Sequence, residues 1–463
     1  MDYDCIVVGG GHAGIEAALA AARLGCSTML ITQSPDAIGR MSCNPAIGGL
    51  SKGNLVRELD ALGGQMAHII DGCTIQWRLL NRSRGPAVQA PRAQADKARY
   101  AELARKAVEE QSGLCVFMDT VTDILTDAAG ARVAGVVTAR GNRISARTVV
   151  IATGTFLEGT VYIGSWKARE GRLGEEAALG LGSALRARGF PMGRMKTGTP
   201  ARIKAGSVDL QALEEHRGEP DAFPFSFMAD TADVLDIACH ITYTNDRTHE
   251  IIRQNLGLSP LYSGEITGLG PRYCPSIEDK VVKFPHRDRH QIFVEPEGIQ
   301  TDELYLNGLS SSLPEDVQLA FIRTMDGFSG AHMVRPGYAV EYDYCDPKDL
   351  YASLESKRMA GLFMAGQTNG TSGYEEAAAQ GILAGINAAM CVHKREPLIL
   401  SRSESYMGVL VDDLVTMGTK EPYRMFTSRA ERRLSLRQDT ADRRLTPLGA
   451  SVGLAGPERL ERL

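Results

Sequence analysis

Short, fully apolar runs closed by glycine alternate along this chain with longer stretches whose apolar residues recur every three to four positions. Cys5-Ile6-Val7-Val8 is one such run and reads as a strand buried on both faces. G-G-G-H-A-G follows at once, and Ile15 to Leu24 is an alanine-rich helical stretch ending at Gly25. Thr28 to Ile31 makes a second strand. Val121-Thr-Asp-Ile-Leu and Val133-Ala-Gly-Val-Val-Thr flank A-A-G-A-R and predict a hairpin, after which Arg147 to Gly154 returns to buried-strand composition. From about 200 to 330 the pattern changes to short β-like runs broken by Pro and Gly. A third glycine-bounded strand, 361–366, then precedes a helix that begins near Tyr374. This order predicts an α/β fold with a discontinuous Rossmann-type domain: a first part at 1–200, an inserted α/β domain at 201–335 and a closing part at 336–400. Residues 401–463 read as the start of a C-terminal helical region.

With 463 residues, 43% of them hydrophobic and 23% charged, the chain can bury a substantial core, which excludes disorder as its dominant state. The opening M-D-Y-D-C-I-V-V carries acids where a signal peptide needs positive charge, and no apolar run approaches the roughly 18 residues of a membrane span. The expectation is a cytoplasmic protein that does not enter membranes. Nine cysteines form no C-x-x-C and no Cys/His cluster, so neither a disulfide framework nor a metal site is expected. The net charge of −5 gives no bulk attraction to nucleic acid, yet residues 76–106 carry eight Lys/Arg against two acids and 420–444 carry eight against four.

Gly9, Gly10, Gly11, His12, Ala13 and Gly14 match G-x-G-x-x-G between a strand and a helix, the context that turns a weak motif into a dinucleotide site. Gly9 permits the tight turn, Gly11 lets the backbone approach a pyrophosphate, and Gly14 lets helix and strand pack closely. The second strand ends in Ile31-Thr32-Gln33, without the acid that usually meets the ribose. The distal segments A-T-G (152–154) and M-A-G-Q (364–367) resemble the strand ends that flank the flavin in two-dinucleotide flavoproteins, which favours FAD, with Gln367 in place of the commoner acid. The helix beginning near Tyr374 is expected to aim its N-terminus at the flavin and favour negative charge on the reduced ring.

Disulfide reductases of this architecture carry two cysteines about five apart after the second strand. Here Cys43 is followed five residues later by Gly48, so a local dithiol is ruled out, leaving a nucleophilic or acid-base thiol or a packed turn residue. Cys274, in G-P-R-Y-C-P-S-I-E-D-K, has Arg272 and Lys280 nearby to favour a thiolate, with Glu278 and Asp279 opposing them. Cys5 and Cys26 read as structural.

Taken together, G-G-G-H-A-G, M-S-C-N-P-A-I-G-G, E-L-D-A-L-G-G, R-A-Q-A-D, G-P-R-Y-C-P-S-I-E-D-K, R-P-G-Y-A-V-E-Y-D, G-Y-E-E-A-A-A-Q-G and K-E-P-Y-R-M-F-T-S-R-A-E closely resemble the MnmG (GidA) tRNA uridine modification enzymes over nearly the whole chain. The resemblance implies an FAD- and NADH-dependent enzyme that, with the GTPase MnmE, builds a carboxymethylaminomethyl group on C5 of the wobble uridine of tRNA. Methylene-tetrahydrofolate and glycine would supply the added atoms, and the protein would be a homodimer. It implies FAD contacts at Gly9 through Gly14, Val121, Ala178 (after Ala177) and Gln367. The family's proposed NADH segment would comprise Gly270, Pro271, Arg272, Tyr273, Cys274, Pro275, Ser276, Ile277, Glu278, Asp279, Lys280, Val281, Val282, Lys283 and Phe284. Cys43 and Cys274 hold the two catalytic cysteine positions: one thiolate adds to C6 of the uridine and the other handles a proton or supports the adduct.

The basic stretches then read as tRNA contacts. They comprise Arg78, Arg82, Arg84, Arg92, Lys97, Arg99 and Arg105, with Trp77 free to stack on a base, and Arg424, Arg429, Arg432 and Arg433. Family members continue in a helical domain beyond G-P-E-R-L-E-R-L, where this sequence stops, and that part is expected to serve the GTPase and tRNA. The rival readings are a folate- and FAD-dependent tRNA uridine C5 methyltransferase and a flavoprotein scaffold without turnover.

Overall fold

A computed structural model of the protein describes residues 2–271 and 275–463. The apolar runs at the start of the chain become the centre of a seven-stranded sheet. β1 (Tyr3–Val8) lies between β2 (Thr28–Thr32) and the strand Arg143–Ile151, parallel to both. Beyond β2 the strand Leu114–Met118 continues the parallel set. The strand Arg143–Ile151 is shared: its first half pairs antiparallel with Val133–Thr138, while its last three residues pair parallel with Leu362–Met364. Chain from more than 200 residues downstream thus closes the sheet, as the glycine-bounded run at 361–366 predicts.

Helix α1 (His12–Arg23) packs along the long helix Tyr374–Val392. All of α1 up to Ala22 is buried, which is why alanine dominates it: a small side chain on each face lets sheet and helix approach together.

The inserted region forms a six-stranded antiparallel sheet from strands between Arg202 and Arg335, with its own core that includes Ile203, Ile252, Val294, Leu306 and Phe321. A four-stranded sheet, in which Met192–Thr199 and Tyr338–Cys345 pair over eight residues, joins it to the first domain. The insertion is not self-contained, however. Residues 219–237 return to the first domain, where the Glu219 and Ile237 amides donate to Trp77 and Ile75 carbonyls and Phe225 is fully buried. Residues 401–463 do not stand apart either: Tyr406, Leu410, Leu445 and Val452 belong to the same core as β1. Among the described residues no helix is long and apolar enough to cross a membrane.

Candidate functional site: a dinucleotide cavity with a cysteine on its wall

A cavity of about 470 Å³ opens where β1 ends and α1 begins. Gly14 makes that junction possible, because a Cβ there would lie 1.7 Å from the Gly9 carbonyl oxygen. Gly14 therefore stands behind the wall, packing α1 on β1, while Gly9 through Ala13 line the cavity. Helix α1 starts without a side-chain cap and without an acid in its first turn, so its free amides and the positive end of its dipole face the opening. A Cβ built on Gly11 meets no protein atom within 4 Å. These features fit the phosphates of a dinucleotide.

Burial pushes the His12 imidazole down to about 4, so the ring is neutral, and its Nε2 has no hydrogen-bond partner. It stacks on the Tyr374 ring with centroids 4.4 Å apart. The remaining cofactor positions expected on the cavity, Val121, Ala178 and Gln367, all line it. The Ala178 amide donates to the Phe156 carbonyl and its carbonyl accepts from the Glu158 amide. An acid also lines the cavity although β2 is followed by Gln33: Asp119, just after the strand beside β2. Burial works to raise its carboxyl, but hydrogen bonds from Thr138, the Thr120 amide and Asn142 outweigh this and lower it. Sequence reading missed Asp119 because it looked for an acid on β2 itself.

Cys43 lies on the loop leading to β3 (Ala46–Gly48) and lines the same cavity. Its amide donates to the Tyr374 hydroxyl at 2.7 Å, and its Sγ is 2.8 Å from the Tyr305 hydroxyl. Arg172 Nε donates to Ser42 Oγ at 3.0 Å and Arg202 to the Ser42 carbonyl at 3.2 Å, fixing the residue before it. The Gly48 amide donates to Glu375 Oε1, whose other oxygen meets Lys52 Nζ at 2.7 Å. The start of the helix Tyr374–Val392 thus approaches the cavity with a buried carboxylate in its first turn, paired to Lys52 from another helix. Gly48 has φ +90°, and a Cβ there would lie 2.3 Å from the Pro91 carbonyl oxygen. That position excludes a second cysteine on steric grounds as well as by sequence.

Arg272, Tyr273 and Cys274 lie outside the described residues. None of the described residues between Gly270 and Phe284 lines the cavity. Ser276 caps the helix Ile277–Lys283, whose Ile277 and Val281 enter the second core while Glu278 accepts from Ser311 and Ser312. Just before them, Leu269 bridges to Met195, on the strand whose Thr197, Gly198 and Thr199 line the cavity, the Gly198 carbonyl lying 3.8 Å from Cys43 Sγ.

The first basic stretch is only in part the open surface that its composition predicts, with Arg82, Arg84 and Arg99 exposed. Trp77 is 1% exposed and packs edge-on against Phe223, so it cannot stack on a base. Arg92 and Lys97 turn inward to Glu295 and Glu297, and Arg82 pairs with Glu219 and Asp221. Arg99 and Arg105 sit with Glu102 and Glu109 on their own helix. The acids that meet Arg82, Arg92 and Lys97 come from the insertion, far outside the stretch. In the second stretch Arg424 lines the cavity, Arg429 stacks on Tyr423, and Arg432 and Arg433 are exposed.

Residues 4–396 match the family described as "Glucose inhibited division protein A". The "tRNA uridine 5-carboxymethylaminomethyl modification enzyme MnmG" of Borrelia garinii is 61% identical over 462 residues, covering 100% of this chain and 74% of that protein. The protein of the same name from Treponema pallidum is 58% identical over 475 residues, covering 100% of this chain and 75% of that one. The solved structure of Aquifex aeolicus GidA superposes with a TM-score of 0.96 at 51% identity, covering 100% of this chain and 78% of that chain.

Proposed function

The chain belongs to the glucose-inhibited division protein A family, and from that premise we propose that it is a flavin-dependent tRNA uridine 5-carboxymethylaminomethyl modification enzyme. The observation that carries this reading is Cys43 on the wall of the dinucleotide cavity, its amide bonded to the Tyr374 hydroxyl and its thiol in contact with the Tyr305 hydroxyl. FAD is the proposed cofactor, with its pyrophosphate at Gly9 through Ala13 and the start of α1, and with Val121, Ala178 and Gln367 along its length. When bound, it supplies redox chemistry that no side chain here has.

The protein's own part is to bind, orient and activate the uridine. C5 of uridine is a weak nucleophile until a thiolate adds to C6. The new S–C6 bond uses the sulfur lone pair, the C5=C6 electrons move toward the C4 carbonyl as an enolate, and C5 can then attack an electrophilic one-carbon unit. Loss of the C5 proton and departure of the thiolate restore the double bond. One of Cys43 and Cys274 makes this addition and the other handles a proton or supports the adduct. Tyr374 and the Glu375–Lys52 pair fix the loop that aims Cys43.

Methylene-tetrahydrofolate and glycine are the proposed donors and NADH the proposed reductant, met by the segment 270–284. The proposed setting is cytoplasmic, as a homodimer working with the GTPase MnmE on tRNA. Mass spectrometry of tRNA nucleosides, after incubation with FAD, NADH, methylene-tetrahydrofolate, glycine, the GTPase and GTP, tests the whole reading. A carboxymethylaminomethyl product is expected; a simple methyl, or no flavin bleaching by NADH, would overturn it. Cys43→Ser and Cys274→Ser are each expected to lower product formation on the order of a hundredfold or more while FAD stays bound.

A further inference from the structure

Tyr305 reaches Cys43 from a different domain, and nothing in the chemistry above assigns it a role. It sits on the strand Glu303–Asn307 of the inserted sheet, is 2% exposed, and has its hydroxyl 2.8 Å from Cys43 Sγ. Its ring is held by Arg202, its partner across the strand pair, whose guanidinium lies 4.8 Å from the ring centroid. That guanidinium cannot wander. Its Nε donates to Glu297 at 2.6 Å, its Nη1 to Thr199 Oγ1 and the Pro200 carbonyl, and its Nη2 to the Ser42 carbonyl. One arginine therefore braces both the tyrosine and the residue before the cysteine.

We propose that Tyr305 is a positioning residue for Cys43, donating its hydroxyl hydrogen to the thiolate sulfur, so that the inserted domain both aims this nucleophile and supports its ionised form. The proposal rests on the reading of Cys43 given above. It serves either division of labour, since a thiol that attacks carbon and a thiol that shuttles a proton both pass through the thiolate. The hydroxyl is suited to the task because a hydrogen bond to a charged acceptor is stronger than one to a neutral acceptor, and an arginine over the ring strengthens the donor. Other titratable groups near enough to feel a charge on the sulfur are Tyr374, Tyr338, Arg202 and Lys97. Glu297 bridges the two cations, at 2.6 Å from Arg202 and 2.8 Å from Lys97, so their charge is largely answered before it reaches the sulfur. Tyr305 offers what they do not: a donor in direct contact.

The test is the rate of iodoacetamide alkylation at Cys43, followed by peptide mass spectrometry across a pH series in the full chain and in Tyr305→Phe. Phenylalanine keeps the ring against Arg202 and removes the hydroxyl. Alkylation at neutral pH is expected to slow roughly tenfold, with the profile displaced to higher pH. An unchanged profile, or one displaced to lower pH, overturns the proposal. Tyr305→Leu, read the same way, serves if the phenylalanine variant does not accumulate as folded protein. The two readings fail separately. Full modification activity in Cys43→Ser would sink the role of the cysteine whatever the alkylation rates, whereas an unchanged alkylation profile sinks only the role of Tyr305.

Discussion

At the scale of single residues, position decides what a side chain can do, and Cys43 and His12 show it in opposite ways. Cys43 is partly open, its thiol meeting the Tyr305 hydroxyl and the Gly198 carbonyl while its amide donates to the Tyr374 hydroxyl. The thiols of Cys5 and Cys239 are buried, and burial pushes each up to about 12, where they stay inert. His12 is buried at the glycine-rich turn and is held neutral, with burial lowering it to about 4. The sign of its pH effect follows. An unfolded histidine, near 6.5, takes up a proton as pH falls and the folded one does not, so the stability contributed above 6.5 is lost as pH falls toward 4. His12→Gln should remove this loss, so that wild type weakens relative to the variant by about 2 kcal/mol between pH 7 and pH 5, read from urea unfolding curves.

At the scale of elements, the helix Tyr374–Val392 and α1 meet through glycines. A Cβ on Gly381 would lie 2.2 Å from the Ala13 carbonyl oxygen, and one on Gly385 would lie 2.3 Å from that of Ala17. Alanine normally stabilises a helix interior by about 1 kcal/mol over glycine, but here the close approach of two backbones wins. Gly381→Ala should therefore destabilise the protein by roughly 1–3 kcal/mol and loosen FAD, measured by thermal unfolding and by the flavin released on dilution. Ala13 lies on the cavity wall, so the clash acts on the phosphate-binding turn itself.

At the scale of the whole molecule, the C-terminal segment and the returning loop of the insertion meet on one buried carboxylate. Asp60 is fully buried, accepts from both Arg459 Nη1 at 2.8 Å and Nη2 at 3.2 Å, and also accepts from Ser226 Oγ and the Phe227 amide. The same loop places Phe225 against Gly48, five residues from Cys43. Arg459→Ala would strand a buried charge, with an expected cost of about 3–5 kcal/mol in denaturant unfolding. Asp60→Asn in the same background should recover part of that loss, because it removes the charge that was stranded.

The sequence by itself determined the local features. The strand, glycine turn and helix at 3–23, the hairpin at 121–138, the return of the sheet at 361–366 and the absence of a second cysteine at 48 all depend on neighbours a few residues apart, and periodicity and glycine spacing report those directly. Tertiary structure alone decided the long-range pairings. Trp77 reads as available until Phe223 covers it, and Arg92 and Lys97 read as a basic surface until Glu295 and Glu297 arrive from about 200 residues away. Tyr305 has no local signature at all, standing in an ordinary strand that becomes significant only when folding brings it to a thiol 262 residues earlier in the chain. The physical reason is the same in each case: backbone periodicity is a property of consecutive residues, whereas burial and charge pairing belong to whatever the fold brings alongside.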